Sequence, residues 1–96
     1  MDEKLMGDDM ASLLRKDPSL AAQVLSQFLA DGDHGALLVA LREMASAFGG
    51  IPKVAEQAGL SPGQLHRALS RNGNPPLSSV SATLKAMGMQ LRVRRQ

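Results

Sequence analysis

The stretch that most constrains the fold runs from Ile51 to Arg71 and reads IPKVAEQAGLSPGQLHRALSR. Two short helical patterns meet at Gly59, where glycine allows a left-handed turn at little cost. Counted from Ile51, the small Ala55 falls at the fifth position and Gly59 at the ninth. The positions that set the angle between the helices of a helix-turn-helix are all apolar: Val54, Ala58, Leu60, Leu65 and Ala68. This spacing predicts a helix over 51–58, a turn, and a second helix from Pro62 to about Ser70.

The second helix has a well-defined start. Ser61 stands at the cap position, Pro62 follows, and Gln64 lies three residues after the cap, which is the pattern of a capping box. With Leu65, Ala68 and Leu69 facing inward, we expect six residues to face outward: Gly63, Gln64, His66, Arg67, Ser70 and Arg71.

In a DNA-binding helix-turn-helix, the N-terminal part of the second helix meets base edges in the major groove. Arg67 is expected to contact guanine or phosphate, unless it is only a solvated charge. Gln64 serves either the capping box or a base contact, and His66 is either a DNA contact or plain surface. The candidate DNA-binding residues are Lys53, Ser61, Pro62, Gly63, Gln64, His66, Arg67, Ser70 and Arg71, with Lys53 and Arg71 as phosphate contacts and Ser61 chiefly as a cap.

Further helical segments surround this pair. Asp17 and Pro18 start a helix with apolar residues at Ala21, Leu25, Phe28 and Leu29. The segment DGDH ends that helix, and Asp33 caps the next, whose apolar stripe is Leu37, Leu41, Met44, Ala45 and Phe48. Residues 8–16 predict one short helix, and another is expected after Ser78 with Val80, Leu84 and Met87 inward.

The C-terminal segment MQLRVRR alternates apolar and polar residues, which predicts a short half-buried strand. Met89, Leu91 and Val93 form its apolar side. A lone strand in a helical chain must pair with a second copy, pair with another protein, or fray. A homodimer could therefore form through this strand or through the helix over 79–87.

Composition limits the chemistry. The chain has 96 residues, 44% hydrophobic and 2% aromatic, and it contains no cysteine. We therefore expect an aliphatic core, no aromatic stacking platform for single-stranded nucleic acid, and a cytoplasmic protein with no membrane segment. His34 and His66 have no adjacent nucleophile motif, and Asp31 and Asp33 more simply end and cap helices than bind a metal. We expect no catalytic residue, cofactor or metal site.

The charge of the chain is divided along its length. Residues 1–48 carry eight acids and four bases, a net −4, whereas residues 49–96 carry one acid and seven bases, a net +6. Such asymmetry indicates a basic surface for a polyanion and an acidic part with another task, although small proteins also show it by chance. We expect one domain over 1–96, with 1–48 acidic and 49–96 basic.

Beyond these patterns, the residues from Lys53 to Val93 resemble the "probable addiction module antidote" proteins, which are HigA-like antitoxins within the Xre/Cro class. That family has a Gly-Leu-Ser turn, a helix ending Ala-Leu-Ser, then Gly-Asn-Pro and a helix ending Ala-Leu-Gly. The matching residues here are Gly59–Ser61, Ala68–Ser70, Gly73–Pro75 and Ala86–Gly88. With the upstream helices, the resemblance covers residues 15–93. The chain departs from the family at Pro62 and Gly63, where Arg often follows the serine, and at His66, where an aromatic residue is frequent.

The resemblance implies an all-α, lambda-repressor-like helix-turn-helix bundle with extra N-terminal helices. It also implies an antitoxin that neutralises a RelE/ParE/HigB-like toxin and, as a homodimer, represses its own operon by binding double-stranded operator DNA. The acidic half would then suit docking to a basic toxin that handles RNA. Two alternatives stay open, namely a stand-alone or phage-type repressor without a toxin, and an interaction module that no longer binds DNA.

Overall fold

The computed structural model describes residues 11–13 and 15–95. A short helical stretch at 11–13 and 15–16 precedes five helices: α1 (Pro18–Asp31), α2 (His34–Ala47), α3 (Ile51–Ala58), α4 (Pro62–Ala68) and α5 (Leu77–Ala86). The all-α prediction is confirmed. Residues 8–10 and 14 of the predicted first helix lie outside the described residues, as do the acids Asp2, Glu3, Asp8 and Asp9. Within the described ranges, no helix is long and apolar enough to cross a membrane.

Side-chain caps start α1 and α2, as predicted. The Asp17 carboxylate accepts a hydrogen bond from the Leu20 N–H at 3.1 Å, and the Asp33 carboxylate accepts one from the Ala36 N–H at 3.1 Å. These bonds satisfy N–H groups that have no partner within the helix. The DGDH segment therefore ends α1 at Asp31 and caps α2 through Asp33.

Helix α3 holds the fold together because it packs against α2, α4 and α5, while α1 packs against α2. The buried core is aliphatic, as expected. It consists of Ala21, Leu25, Leu37, Leu38, Ala40, Leu41, Met44, Ala45, Val54, Ala55, Leu65, Leu69, Leu84 and Met87. The two helices of the predicted helix-turn-helix thus share one core with their neighbours.

Two residues placed in the inward stripes are in fact largely exposed. Leu29 is 43% exposed and Phe48 is 41% exposed. Phe28 and Leu29 are neighbours about 100° apart on α1, so only one of them can face α2. Phe48 follows the last residue of α2 as its C-cap and leaves the helical path, so the stripe of α2 does not extend to it.

Helix α5 begins at Leu77, slightly earlier than the predicted start after Ser78. Pro76 is its N-cap, and the Pro76 carbonyl accepts hydrogen bonds from the N–H groups of Ser79 and Val80. Leu84 is buried and Val80 half-buried, as expected. Thr83 is also buried, and its hydroxyl donates to the Ser79 carbonyl at 2.7 Å. A polar residue thus fills a core position that the apolar pattern did not identify.

The predicted C-terminal strand is not formed in the single chain. Residues 89–95 carry no regular secondary structure, and no strand exists elsewhere in the described ranges to pair with them. Met89 and Leu91 pack half-buried against the core, as the predicted apolar side requires, but Val93 is fully exposed. A strand needs a hydrogen-bonded neighbour, and one copy of the chain supplies none.

Candidate nucleic-acid interface

The turn between α3 and α4 has the geometry that the sequence predicts. Gly59 ends α3 in a left-handed conformation with φ 75°, and no other atom lies near the place where a Cβ would stand. The Leu60 N–H then donates to the Ala55 carbonyl at 2.9 Å. A residue with a side chain would be strained here by its backbone angle rather than by crowding.

Apolar contacts fix the angle between α3 and α4. Val54, Ala55 and Leu65 have no exposed surface, and Leu69 just beyond α4 is 1% exposed. Ala58, Leu60 and Ala68 are half-buried around them. Ala55, with its small side chain, lies in the same core cluster as Leu65, and α3 packs against α4. The positions chosen from the spacing therefore form the contact between the two helices.

The start of α4 is closed by a complete capping box. The Gln64 N–H donates to the Ser61 hydroxyl at 3.1 Å, and the Ser61 N–H donates to the Gln64 side-chain oxygen at 2.9 Å. The capping roles of Ser61 and Gln64 are thus confirmed. The side-chain carbonyl of Gln64 already accepts the Ser61 N–H, so a base contact by this carbonyl would require the capping box to open.

Most of the candidate residues share an exposed surface on and beside α4. Lys53, Ser61, Pro62, Gly63, Gln64, His66, Arg67 and Arg71 are exposed, whereas Ser70 is half-buried. The Ser70 hydroxyl donates to the Arg67 carbonyl at 2.9 Å. The expected outward direction is therefore correct for every candidate on this helix except Ser70, whose hydroxyl closes the end of α4.

Two glycines lie under the basic side chains of this surface. A Cβ built on Gly63 would lie 3.4 Å from a guanidinium nitrogen of Arg67, so Arg67 lies back along α4 over Gly63. A Cβ on Gly49 would lie 2.7 Å from the Cδ of Lys53, so the stem of Lys53 runs over Gly49, two residues before α3. These contacts place Lys53 beside the start of α3 and Arg67 toward the start of α4.

Arg71 packs against Gly35, a residue outside the candidate DNA-binding set. A Cβ on Gly35, in the first turn of α2, would lie 3.2 Å from both the Cγ and the carbonyl oxygen of Arg71. The chain after α4 therefore passes close to the start of α2, and Gly35 makes room for it. A glycine inside the first turn of a helix was the available signal, since glycine is unfavourable there unless something approaches closely.

Comparison with known proteins identifies the family of this chain. The family model described as "Probable addiction module antidote protein" matches residues 4–95. The chain belongs to this family. A relative from Haemophilus influenzae, described as an uncharacterized protein, is 31% identical over 93 residues, which is 97% of this chain and 94% of the relative. No solved structure matches significantly.

Two exposed basic side chains of this antidote-family chain, Lys53 and Arg67, lie on α3 and α4. Arg42 and Glu43 of α2 form a partly exposed ion pair at 3.9 Å. Lys53 and Arg67 have no acidic partner at that range among residues 11–13 and 15–95. Their charges are therefore not neutralised by described neighbours, which is the electrostatic condition for attracting a polyanion.

The DGDH segment of the antidote-family chain is occupied by structural hydrogen bonds. The Asp31 carboxylate accepts a hydrogen bond from the Gln27 side-chain amide at 2.9 Å, and Asp33 caps α2. In the part of the chain that the structure describes, no three metal-ligating side chains come together. These aspartates act as the helix-ending and helix-capping residues that the sequence predicts.

Proposed function

We propose that this chain is the antitoxin of a type II toxin–antitoxin system and that it also represses its own operon. In this proposal it is a cytoplasmic, non-enzymatic regulator that binds a RelE/ParE/HigB-like toxin directly. As a homodimer with a lambda-repressor-like, Xre/Cro-type helix-turn-helix, it binds double-stranded operator DNA. The observation that carries the proposal is the family match over residues 4–95, because it supports an antitoxin role for nearly the whole chain.

The DNA-binding part of the proposal rests on the arrangement of α3 and α4. Helices α3 and α4 pack against each other, and Ala55 and Leu65 are fully buried in the core that they share. The capping box then keeps the first turn of α4 intact and exposed. A rigid, capped and solvent-facing helix with basic side chains is what the major groove admits.

Each residue of the surface receives a role. Arg67 contacts guanine or phosphate, and His66 lies beside it on the same exposed face. Lys53 and Arg71 contact phosphates on either side of the groove and fix the register of the protein. The exposed Pro62 and Gly63 shape the entry of α4, and they keep bulky side chains away from the DNA.

Ser61 and Gln64 cap α4 and also lie in the proposed DNA interface. Ser70 stabilises the other end of α4 through its hydrogen bond to the Arg67 carbonyl. A base contact by the Gln64 side chain would replace one capping-box hydrogen bond, at a cost of about 1 kcal/mol. Such a contact is favourable only at a base that offers a bidentate partner, which a side-chain amide finds in adenine. Gln64 would thus discriminate between bases more strongly than it contributes to overall affinity.

The toxin-binding part of the proposal rests on the division of charge. Residues 1–48 carry a net −4, from eight acids and four bases. A toxin that handles RNA needs a basic surface, and complementary charge accelerates the encounter of two proteins. We assign toxin docking to residues 1–48 and DNA binding to residues 49–96 of a single domain.

The test of the DNA part is a gel shift with the DNA upstream of the gene, repeated over a salt series. The Arg67→Ala variant should bind this DNA about 1–3 kcal/mol more weakly than the unmodified chain. Arg15→Ala is the matched control, since Arg15 is an exposed arginine of the acidic half. It should leave operator affinity unchanged.

Binding of the unmodified chain should also fall steeply with salt, because neutralised phosphates release counterions. If Arg67→Ala bound the operator as tightly as Arg15→Ala, Arg67 would have no role in the interface. If the upstream DNA were not bound at low salt, the chain would instead act through protein contacts alone.

A further inference from the structure

We propose that residues 89–93 pair with the same residues of a second copy as an antiparallel two-stranded ribbon whose two-fold axis passes beside Leu91. This inference rests on the homodimer of the proposed function and names its interface. It also accounts for a C-terminal segment that alternates like a strand but has no partner within one chain.

The segment has a strand's side-chain pattern, and its backbone pairs with no strand of the described residues, although the Met89 N–H donates to the Leu84 carbonyl at 2.8 Å. Met89 and Leu91 lie half-buried against the core, while Gln90 and Arg92 are exposed. Val93 belongs to the apolar side of the alternation but is 101% exposed. A half-buried strand with polar residues outside and one uncovered apolar residue is incomplete on its own, since its N–H and C=O groups lack a ladder.

A groove lies beside this segment and can receive apolar side chains of the second copy. It has a volume of about 770 Å³ and runs between the start of α1, with Pro18 and Ala22, and the C-terminal segment, with Met89 and Leu91. An isolated two-stranded ribbon is only marginally stable in water, so it needs a hydrophobic surface to pack on. The groove supplies part of that surface on each copy through its four apolar residues, while the rest of its lining is polar or glycine: Ser19, Ser81, Lys85, Gly88 and Gln90.

Charge and side-chain chemistry select one register. With Leu91 opposite Leu91, Met89 lies opposite Val93 and Gln90 opposite Arg92, so apolar residues face apolar residues and no like charges meet. If the axis moved to Arg92, two arginines would lie directly opposite each other, which is destabilising. If it moved to Gln90, Val93 would face Met87, which is buried at the end of α5. A shift by a single residue would pair apolar with polar positions.

The alternative interface over residues 79–87 has little apolar surface to offer, and the exposed leucine of α5, Leu77 at 72%, lies before this range. Leu84 is only 6% exposed, and Val80 already packs against the core of its own chain. Pairing through these residues would require the core to open. Val93, by contrast, is available for burial without any rearrangement of the helices.

The absence of cysteine in the chain makes the register measurable with single-cysteine variants. Opposite residues of an antiparallel pair have Cα atoms about 4.5–5.5 Å apart, whereas diagonal ones are about 7–8 Å apart, too far for a disulfide. Under mild oxidation Leu91→Cys should form a covalent dimer of twice the 10.2 kDa chain mass. Gln90→Cys and Arg92→Cys should each stay uncrosslinked alone, but they should crosslink when the two differently tagged proteins are mixed.

Light scattering of the unmodified chain separates failure of this register from failure of the dimer. A dimer in which neither Leu91→Cys nor the Gln90→Cys and Arg92→Cys mixture crosslinks would overturn the ribbon. Crosslinking of Arg92→Cys with itself, at the rate of Leu91→Cys, would overturn the register. A monomer would overturn both the ribbon and the proposed homodimer, while the toxin-binding test would be unaffected. Because Gln90 and Arg92 are exposed, the mixture decides the matter even if Leu91→Cys folds poorly.

Discussion

Gly73 is predicted to be a position that cannot accept even a methyl group. A Cβ built there would overlap the Ala68 carbonyl oxygen, and it would lie 3.0 Å from both the Ala68 carbonyl carbon and the Arg67 carbonyl oxygen. These are backbone atoms at the end of α4, so they can move only if the helix end moves. Gly73 has no positive φ, so the effect of Gly73→Ala would come from space alone.

Gly63→Ala is the matched control because it adds the same methyl group at the start of the same helix. There the new Cβ would meet only the flexible end of Arg67, at 3.4 Å. Both substitutions reduce the freedom of the unfolded chain, which alone stabilises by about 0.4–1 kcal/mol. The difference between the two variants therefore contains the clash and the gain in helix propensity, about 0.5–1 kcal/mol, that only Gly63→Ala brings.

We expect Gly73→Ala to lower the free energy of unfolding by about 1–3 kcal/mol, as overpacking does in well-packed sites. A loss of about 2 kcal/mol would lower the melting temperature of a chain of this size by about 8–16 °C. Gly63→Ala should leave stability unchanged or raise it by up to about 1 kcal/mol. Urea unfolding followed by circular dichroism measures both, with equal slopes expected for the two variants. A midpoint for Gly73→Ala at or above that of Gly63→Ala would refute this reading of the turn.

Two further predictions concern the contact and the cap of α4. Leu65→Ala should lower the free energy of unfolding by about 3 kcal/mol, because Leu65 has no exposed surface and the cavity would lie between α3 and α4. Thermal unfolding measures this change. A decrease in the free energy of unfolding below about 1 kcal/mol would show that Leu65 contributes little to the packing of α3 against α4. Ser61→Ala should cost about 1 kcal/mol through loss of the cap. Because the Ser61 hydroxyl accepts from the backbone N–H of residue 64, most of this cost should remain in a chain already carrying Gln64→Ala, and a cost that vanished there would contradict this hydrogen bond.

Local signals made the candidate site predictable. Gly59, Ser61 and Pro62 act on their own backbone neighbourhood, so the bounds of α3 and the start of α4 follow from the residues alone. The buried positions of these helices follow from apolar spacing in the same way. Features of this kind are predictable because the residues that cause them lie within a few positions of the structure that they determine.

The remaining features depend on contacts between distant parts of the chain. Nothing near Gly35 in the sequence shows that Arg71 will cross it, and nothing near Thr83 shows that packing will bury it, although its hydroxyl donates locally to the Ser79 carbonyl. The exposure of Phe48 likewise depends on where the chain turns after α2. The C-terminal alternation predicts a strand that is absent from the single chain, and the partner proposed for it lies in a second molecule.

The most direct test of the antitoxin role is co-expression with the gene adjacent to this one. If that gene encodes the toxin, its expression alone should arrest growth. Co-expression of this chain should restore growth, and the two proteins should co-purify as one complex. Growth arrest that persists while this chain accumulates in folded form, with no complex recovered, would contradict the proposed function.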